Sequence, residues 1–289
     1  MKVLVSGGTG LLGQGFLRLL REAGGHEARC FVRPTSPVER LDGLELAYGD
    51  ARDVGSMERA LRGTDAFVHV AGIQYTPRVL EAMRRAGVER LVVVSSTSAH
   101  SRFESRSAPR LTNEALLPGS GLRWTVVRPT MIYGSELDHN MHKLLRFLAR
   151  SPVFPLFGSG ENLWQPVYYE DLARGLYTAL TRPGTEGQTY DLPGLKPLTY
   201  LDLVRTAAGA LGKKARIVRL PAEPVRRALQ VAEGLRLPLP VSSEQVLRLR
   251  EDKAYPYDKA RKELGYAPRA FKEGIALEVE RLREIGLVG

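Results

Sequence analysis

Three glycines near the N-terminus have the spacing of a phosphate-binding loop. Gly7, Gly10 and Gly13 form G-x-x-G-x-x-G directly after the short apolar run at residues 3–5. An amphipathic helical pattern follows at once, and a second apolar run arrives at residues 29–33. In such a β-α-β unit, glycines let the backbone turn tightly and let a pyrophosphate approach the N–H groups of the helix N-terminus. The pattern favours a dinucleotide site over the alternative, a purely structural glycine turn.

The residue at the end of the second predicted strand bears on which dinucleotide binds. NAD-binding units usually place an Asp or Glu there, on the ribose 2′-hydroxyl, about 20 residues after the glycines. Arg33 occupies this position, and the carboxylates Glu22 and Glu27 both precede the end of the strand. Because a cation favours a 2′-phosphate, the sequence predicts NADP(H) rather than NAD(H) as the cofactor. The alternative is that Arg33 only stacks on adenine or points into solvent.

Strand and helix patterns alternate over the first half of the chain. Strands are predicted at residues 3–5, 29–33, 44–47, 66–70, 91–94 and 124–127, and helices at 56–61 and 79–86. This alternation predicts an α/β fold, a Rossmann-like doubly wound parallel sheet that binds ligands at the carboxyl ends of its strands. After Pro129, many prolines interrupt the pattern. We therefore expect a dinucleotide-binding domain over residues 1–133, with later segments returning to it, and a smaller C-terminal α/β lobe over 134–289 for substrate or a partner. Residues 229–237 predict a short basic amphipathic helix, and a helix that faces the core of that lobe is favoured over the alternative, contact with a membrane surface.

Composition excludes several classes of protein. The formal net charge is +10 over 289 residues, but the basic residues are dispersed without interleaved aromatics, so we expect no nucleic-acid partner. Cys30 is the only cysteine, which excludes an internal disulfide, and the five histidines lack metal-ligand spacing, so no metal site is predicted. Without a long apolar run or a signal peptide, we expect a cytoplasmic protein with no membrane span. A homo-oligomer or a protein partner is compatible with this composition.

Further motifs stand in the order in which one known family carries them. After the glycine loop come G-D-x-x-D at residues 49–53, V-x-x-A-G at 68–72, a fifth strand ending in Ser-Ser-Thr at 95–97, R-P-x-x-x-Y-G at 128–134, a V-x-V-x-D-x-A-like run at 166–173 and K-A-x-x-x-L-G-Y at 259–266. With these motifs the chain resembles the extended and atypical short-chain dehydrogenases/reductases, the family of nucleotide-sugar epimerases and dehydratases. The resemblance covers nearly the full length. It implies an oxidoreductase or epimerase acting on a sugar nucleotide or another carbonyl substrate.

The resemblance also implies which residues contact the dinucleotide. In the family, the first Asp of the G-D-x-x-D element touches the adenine, and Asp50 matches it here. The residues expected to contact the cofactor are Gly7, Thr9, Gly10, Leu11, Leu12, Gly13, Arg33, Asp50, Ala51, Val70, Ala71, Gly72, Ser95, Arg110 and Pro129.

The catalytic pattern is where the chain departs from the family. The family mechanism uses a Ser or Thr after the fifth strand and a Y-x-x-x-K pair, in which the phenol moves the substrate proton and the Lys lowers the phenol pKa and holds the nicotinamide ribose. Thr97 fits the hydroxyl position and is expected to orient the substrate oxygen. Glu114 resembles the glutamate that follows the Lys, and counting back places Arg110 at the Lys position and Arg106 at the Tyr position.

The standard proton donor is absent, because no tyrosine occurs between Tyr75 and Tyr133. Arg110 can hold ribose hydroxyls or an anionic substrate, but an arginine with a pKa above about 12 cannot donate a proton near neutral pH. Tyr75 is the candidate replacement acid, and a loop aromatic that covers the site is the alternative. Tyr133 is more typical of a packing residue. Two functions stay open: an oxidoreductase or epimerase with a non-standard acid, and a non-catalytic NADP(H)-binding subunit or redox sensor, such as the nucleotide-binding accessory subunit of respiratory complex I, which the chain also resembles.

Overall fold

Strands and helices alternate along the residues that the computed structural model describes, 1–234 and 251–289. The strands are β1 (Lys2–Ser6), β2 (Glu27–Val32), β3 (Glu45–Tyr48), β4 (Ala66–His69), β5 (Arg90–Val94), β6 (Arg123–Pro129), β7 (Ile132–Tyr133), β8 (Val153–Phe157), β9 (Leu163–Trp164), β10 (Val167–Tyr168), β11 (Gln188–Leu192), β12 (Leu198–Thr199) and β13 (Arg216–Leu220). The helices are α1 (Leu11–Ala23), α2 (Val54–Leu61), α3 (Thr76–Ala86), α4 (Glu104–Glu114), α5 (Met141–Arg150), α6 (Tyr169–Thr181), α7 (Tyr200–Ala210), α8 (Ala222–Gly234), α9 (Asp258–Leu264) and α10 (Phe271–Glu284). The helix predicted at residues 229–237 lies partly outside the described residues.

The chain divides into two units. The first comprises Met1–Ile132, Val167–Pro193 and Pro256–Pro268. The second comprises Tyr133–Pro166, Gly194–Tyr255 and Arg269–Gly289. Two segments from the second half of the chain therefore fold with the N-terminal strands. The first segment contains α6 and β11, and the second contains α9.

A seven-stranded sheet in the order β11-β6-β5-β4-β1-β2-β3 forms the first unit, and all of its pairs are parallel. The chain runs outward from β1 to β3, then crosses back and continues from β4 on the other side of β1. This reversal creates a crevice at the carboxyl ends of β1 and β4, where doubly wound sheets bind their ligands. The structure confirms the predicted fold class, and each predicted strand is present with its ends shifted by at most two residues.

Apolar side chains pack on both faces of this sheet, because successive residues of a strand point to opposite faces. Val3 and Val5 belong to a buried cluster with residues of α1, α6 and α9, whereas Leu4 belongs to a second cluster with residues of α2 and α3. Helices α1 and α6 approach closely, since a Cβ at Gly15 would lie 2.9 Å from the Tyr169 ring. The packing on both faces fixes the loops at the carboxyl edge of the sheet.

The second unit is built from short elements. Helix α7 packs against α5 and α10, β13 pairs with β8 in parallel, and β12 pairs with β9 in antiparallel orientation. Within residues 1–234 and 251–289, no helix is both long enough and apolar enough to cross a membrane.

Candidate functional site

The glycine loop between β1 and α1 leaves no room for a side chain at Gly7 or Gly13. Gly7 has a φ of +73°, and a Cβ there would lie 3.1 Å from the Ala71 nitrogen. A Cβ at Gly13 would lie 2.1 Å from the Gly7 carbonyl oxygen, so only a hydrogen atom fits. The Gly10 N–H donates to the Gly7 carbonyl at 3.1 Å, and α1 begins at Leu11 with no acidic residue in its first turn. The loop therefore offers bare backbone and a helix N-terminus to an anionic group.

Two buried side chains join this loop to the segment after β4. The His69 Nε2 atom lies 3.0 Å from the Gly72 carbonyl oxygen, which can only accept, so Nε2 carries the ring proton. Nδ1 therefore accepts the hydrogen bond of the Ser6 hydroxyl, at 2.8 Å. The Ala71 N–H donates in turn to the Ser6 Oγ atom, at 3.4 Å. Burial lowers the pKa of His69 to about 4, so the ring is neutral and holds the wall of the crevice at residues 70–72 in one conformation.

Charged residues follow β2 and β3, the two strands beyond the crevice. Arg33 is exposed directly after β2. Asp50 accepts hydrogen bonds from the Arg52 backbone N–H at 2.8 Å and from its guanidinium at 3.0 and 2.7 Å. These bonds, with a smaller contribution from the charge of Arg33, lower the pKa of the Asp50 carboxyl. The predicted adenosine residues Arg33, Asp50 and Ala51 thus stand at one edge, because β2 and β3 are paired.

The predicted hydroxyl residue lies at the carboxyl ends of β5 and β6. Thr97 is 5% exposed, begins the 3₁₀ turn Thr97–His100 and donates its hydroxyl hydrogen to the Pro129 carbonyl at 3.2 Å. Ser95 donates to the Glu114 carboxylate at 2.5 Å. The structure therefore brings three predicted site residues, Ser95, Thr97 and Pro129, to neighbouring strand ends.

Helix α4 carries Arg106 and Arg110, the two arginines that the sequence resemblance places at the positions of a Tyr and a Lys. Arg110 donates from Nη1 to the Arg106 carbonyl at 2.8 Å, and its buried Nε has no hydrogen-bond partner among the described residues. Burial, and then the charge of Arg106, lower the pKa of Arg110, but a guanidinium still keeps its proton. Arg110 is thus a half-buried cation.

The turn that contains Tyr75 packs against α4. The Tyr75 ring meets the His69 ring edge-on at 6.2 Å between centroids, and its phenol lies within electrostatic range of Arg52. Among the described residues, no hydrogen bond joins Tyr75 to Thr97, so the role of Tyr75 as an acid stays a prediction.

A chain of charged side chains crosses the ends of β6 and β11, and two of its members, His100 and Asp191, were not assigned to the site from the sequence. Arg128 donates from Nε to both Glu114 carboxylate oxygens at 3.1 Å, and its Nη2 also bonds Glu114. His100 Nε2 lies 3.0 and 3.1 Å from the Asp191 carboxylate oxygens, and Arg128 Nη1 lies 3.5 Å from the same nitrogen. Asp191 and Arg128 are register partners of paired strands. A histidine–carboxylate pair therefore stands beside the end of β6, and its histidine lies on the same 3₁₀ turn as Thr97.

No set of three or more His, Cys, Asp or Glu side chains within residues 1–234 and 251–289 is arranged to hold a metal ion.

Comparisons with known proteins agree with this geometry. A family model described as NAD(P)H-binding matches residues 7–143, and a model described as the NAD dependent epimerase/dehydratase family matches residues 111–192. The chain is 27% identical to the NAD(P)H azoreductase of Xenophilus azovorans, over 78% of this chain and 80% of that protein. It is 29% identical to the ceramide reductase of Caulobacter vibrioides, over 76% of this chain and 73% of that protein. A nucleoside-diphosphate-sugar epimerase from Pseudomonas aeruginosa shares the fold, with a TM-score of 0.81, 24% identity, and coverage of 100% of this chain and 99% of that one.

Proposed function

We propose that this chain, which belongs to the atypical short-chain dehydrogenase/reductase and NAD-dependent epimerase/dehydratase family, is an NADP(H)-dependent reductase of carbonyl compounds. NAD(P) binding is a property of that family. The observation that carries the proposal is the bare glycine cradle of Gly7 and Gly13 at the carboxyl end of β1, beside the reversal of strand order. Reduction is favoured over epimerisation because the azoreductase and the ceramide reductase are named for reductions.

The residues present fit a dinucleotide. The glycine loop would hold the pyrophosphate, since a Cβ at Gly13 would fill the space that the backbone needs. The segment at residues 70–72, held by Ser6 and His69, would line the crevice beside it. When bound, the reduced nicotinamide supplies the hydride for the reaction. Arg110 would contribute a fixed positive charge near the cofactor or an anionic substrate.

Arg33 is proposed to select NADP(H) over NAD(H). It is exposed at the end of β2, where the ribose 2′-substituent of a bound dinucleotide would lie. A hydrogen bond to a charged group contributes about 1.5–3 kcal/mol, which corresponds to roughly a tenfold to hundredfold preference. Arg33→Asp is therefore expected to weaken NADPH binding by about that factor and to leave or improve NADH binding.

Calorimetric titration with NADPH and then NADH measures this preference. Arg84→Asp, at an exposed arginine in the last turn of α3, is the matched control and should bind both dinucleotides like the wild type. An unchanged ratio of the two affinities in Arg33→Asp would refute the role given to Arg33. Failure of the wild type to bind either dinucleotide would refute the proposed function itself.

A second candidate is a non-catalytic NADP(H)-binding subunit or sensor that docks on a protein partner. It is favoured by the arginines at positions 106 and 110 of α4, where the family carries its Tyr and Lys. Incubation of the NADPH-bound protein with 9,10-phenanthrenequinone, an aliphatic aldehyde and a UDP-sugar, while the absorbance of the reduced nicotinamide is followed, separates the two candidates. Oxidation by a carbonyl compound supports the reductase. Tight binding without oxidation by any probe supports the subunit or sensor.

A further inference from the structure

We propose that the second unit carries a binding site for a phosphate group, in a cavity formed by the end of α5 and the segment that follows α7. The cavity has a volume of about 310 Å³, and every residue that lines it belongs to the second unit. Arg150, Lys213 and Lys214 line it together, and none of its lining residues, all of them in the described part of the chain, is acidic. The convergence of three cations on one cavity carries the proposal, which goes beyond the dinucleotide site of the first unit.

Backbone hydrogen bonds hold both walls of this cavity. After α7, Gly212 adopts a φ of +74°, a left-handed conformation that reverses the chain at a helix end, and the Lys213 N–H donates to the Ala208 carbonyl at 2.9 Å. The Arg216 N–H then donates to the Pro152 carbonyl at 2.8 Å, and the parallel pairing of β13 with β8 continues from there. The segment that carries the two lysines is therefore fixed beside the end of α5.

The cavity has an apolar floor and a cationic rim. Leu148 and Ala208 line it and are 2% and 1% exposed, whereas the three cations are exposed to solvent. Its volume lies at the lower end of the range of about 300–1,000 Å³ that small-molecule sites occupy. The cavity therefore suits a small compound whose anionic group meets the rim and whose apolar part covers the floor.

The two helix ends account for only part of this positive charge. A helix C-terminus carries roughly −0.5 of an elementary charge, so α5 and α7 together match about one cation. Lys213 takes this role, because its Nζ donates to the Ala149 carbonyl in the last turn of α5. The side chains of Arg150 and Lys214 have no hydrogen bond or ion pair with another described residue. Since like charges that line one cavity repel each other, an anion that contacts both side chains is stabilised there.

A phosphate group matches these two side chains in charge and in geometry. A phosphate monoester carries a charge of about −1.5 to −2 at pH 7 and has three strong acceptor oxygens. The guanidinium of Arg150 can donate two parallel hydrogen bonds to such a group, and the ammonium of Lys214 binds it as a point charge. The group can belong to free inorganic phosphate or to an ester of a small organic compound. The apolar floor favours the ester, because the free ion leaves that floor uncovered.

Calorimetric titration with phenyl phosphate and with inorganic phosphate, at low ionic strength, tests the site. The double variant Arg150→Gln with Lys214→Gln should bind phenyl phosphate at least about tenfold more weakly than the wild type, since it loses two hydrogen bonds between charged groups. The matched control, Lys196→Gln with Lys272→Gln, removes the same charge from two exposed positions of the same unit and should bind like the wild type. A titration of Gly13→Ala, whose glycine loop is blocked, should still show the binding.

The outcomes separate this cavity from the glycine loop and from the net charge of the protein. Unchanged affinity in the Arg150 and Lys214 double variant, or a wild type that binds neither probe, would overturn the proposal. Equal losses in both double variants would assign the binding to the net charge of +10 and overturn it as well.

Binding that disappears in folded Gly13→Ala would place the phosphate on the glycine loop and also overturn the proposal. If circular dichroism shows that Gly13→Ala does not fold, titration of the wild type saturated with NADPH decides the same point. Tighter binding of phenyl phosphate than of inorganic phosphate identifies an ester as the ligand, whereas equal affinities would keep the phosphate site and assign it to the free ion.

Discussion

Exchange of Glu278 for glutamine is expected to stabilise this protein at neutral pH. Glu278 lies on α10 with 0% of its surface exposed, near the buried carboxylate of Asp138. Asp138 itself accepts hydrogen bonds from the backbone N–H groups of Asn140 at 2.8 Å and His142 at 3.2 Å. Burial, and then the charge of Asp138, raise the pKa of Glu278 to about 11 from its ordinary 4.5. The folded protein therefore holds Glu278 as a neutral acid at pH 7.

The magnitude follows from proton linkage. The folded state keeps a proton that the unfolded state releases above its pKa of 4.5, so this group's contribution to stability is complete below pH 4.5 and is lost progressively as the pH rises toward 11. The free-energy cost is about 1.4 kcal/mol for each pH unit above 4.5, or roughly 3 kcal/mol at pH 7. Glutamine has nearly the same shape and no proton to retain, so Glu278→Gln removes this cost. The stabilisation should vanish near pH 4.5 and reach at most roughly 3 kcal/mol at pH 7.

Urea unfolding of wild type and Glu278→Gln at several pH values between about 5 and 8 measures the effect. The difference in unfolding free energy between the two proteins should grow by about 1.4 kcal/mol per pH unit. Glu284→Gln, at an exposed position of the same helix, is the control and should show no such slope. A difference that does not depend on pH would refute the reasoning, because the folded protein would then hold no extra proton at Glu278.

Two further outcomes follow from the structure. Gly13→Ala should abolish NADPH binding in calorimetry, because its Cβ would lie 2.1 Å from the Gly7 carbonyl oxygen. The control Gly119→Ala, whose Cβ meets nothing within 4 Å, should bind NADPH like the wild type. Wild-type affinity in Gly13→Ala would contradict the geometry of the glycine loop. Cys30 should react with an aromatic disulfide reagent only after the protein is unfolded in denaturant. The side chain is fully buried, and burial raises the pKa of its thiol to about 12. An equally fast reaction in the folded and the unfolded protein would count against this burial.

The sequence predicts the first unit well because its signals are local. The strands that alternate with helices are short apolar runs. Helices cover both faces of the sheet, so side chains on both sides of each strand are buried and nearly all of them must be apolar. The glycine spacing encodes a backbone requirement directly, as the close approach of Gly13 to the Gly7 carbonyl shows. Motif order therefore predicts both the sheet and the place of the crevice.

The side-chain pairs of the site could not be predicted in this way, because strand register creates them. Ser6 and His69 are register partners of β1 and β4, although 63 residues separate them. His100 meets Asp191 across 91 residues, and only the return of residues 167–193 to the first unit brings β11 next to β6. Sequence reasoning named Tyr75 as the candidate replacement acid, and neither His100 nor Asp191 stands in a motif that it assigned to the site.

The loss of the tyrosine changes what the neighbouring cation on α4 can do. A phenol requires a nearby cation to lower its pKa toward neutrality, but an arginine at position 106 leaves no phenol for Arg110 to act on. In the proposed function, the fixed charge of Arg110 is therefore left to hold the cofactor or an anionic substrate.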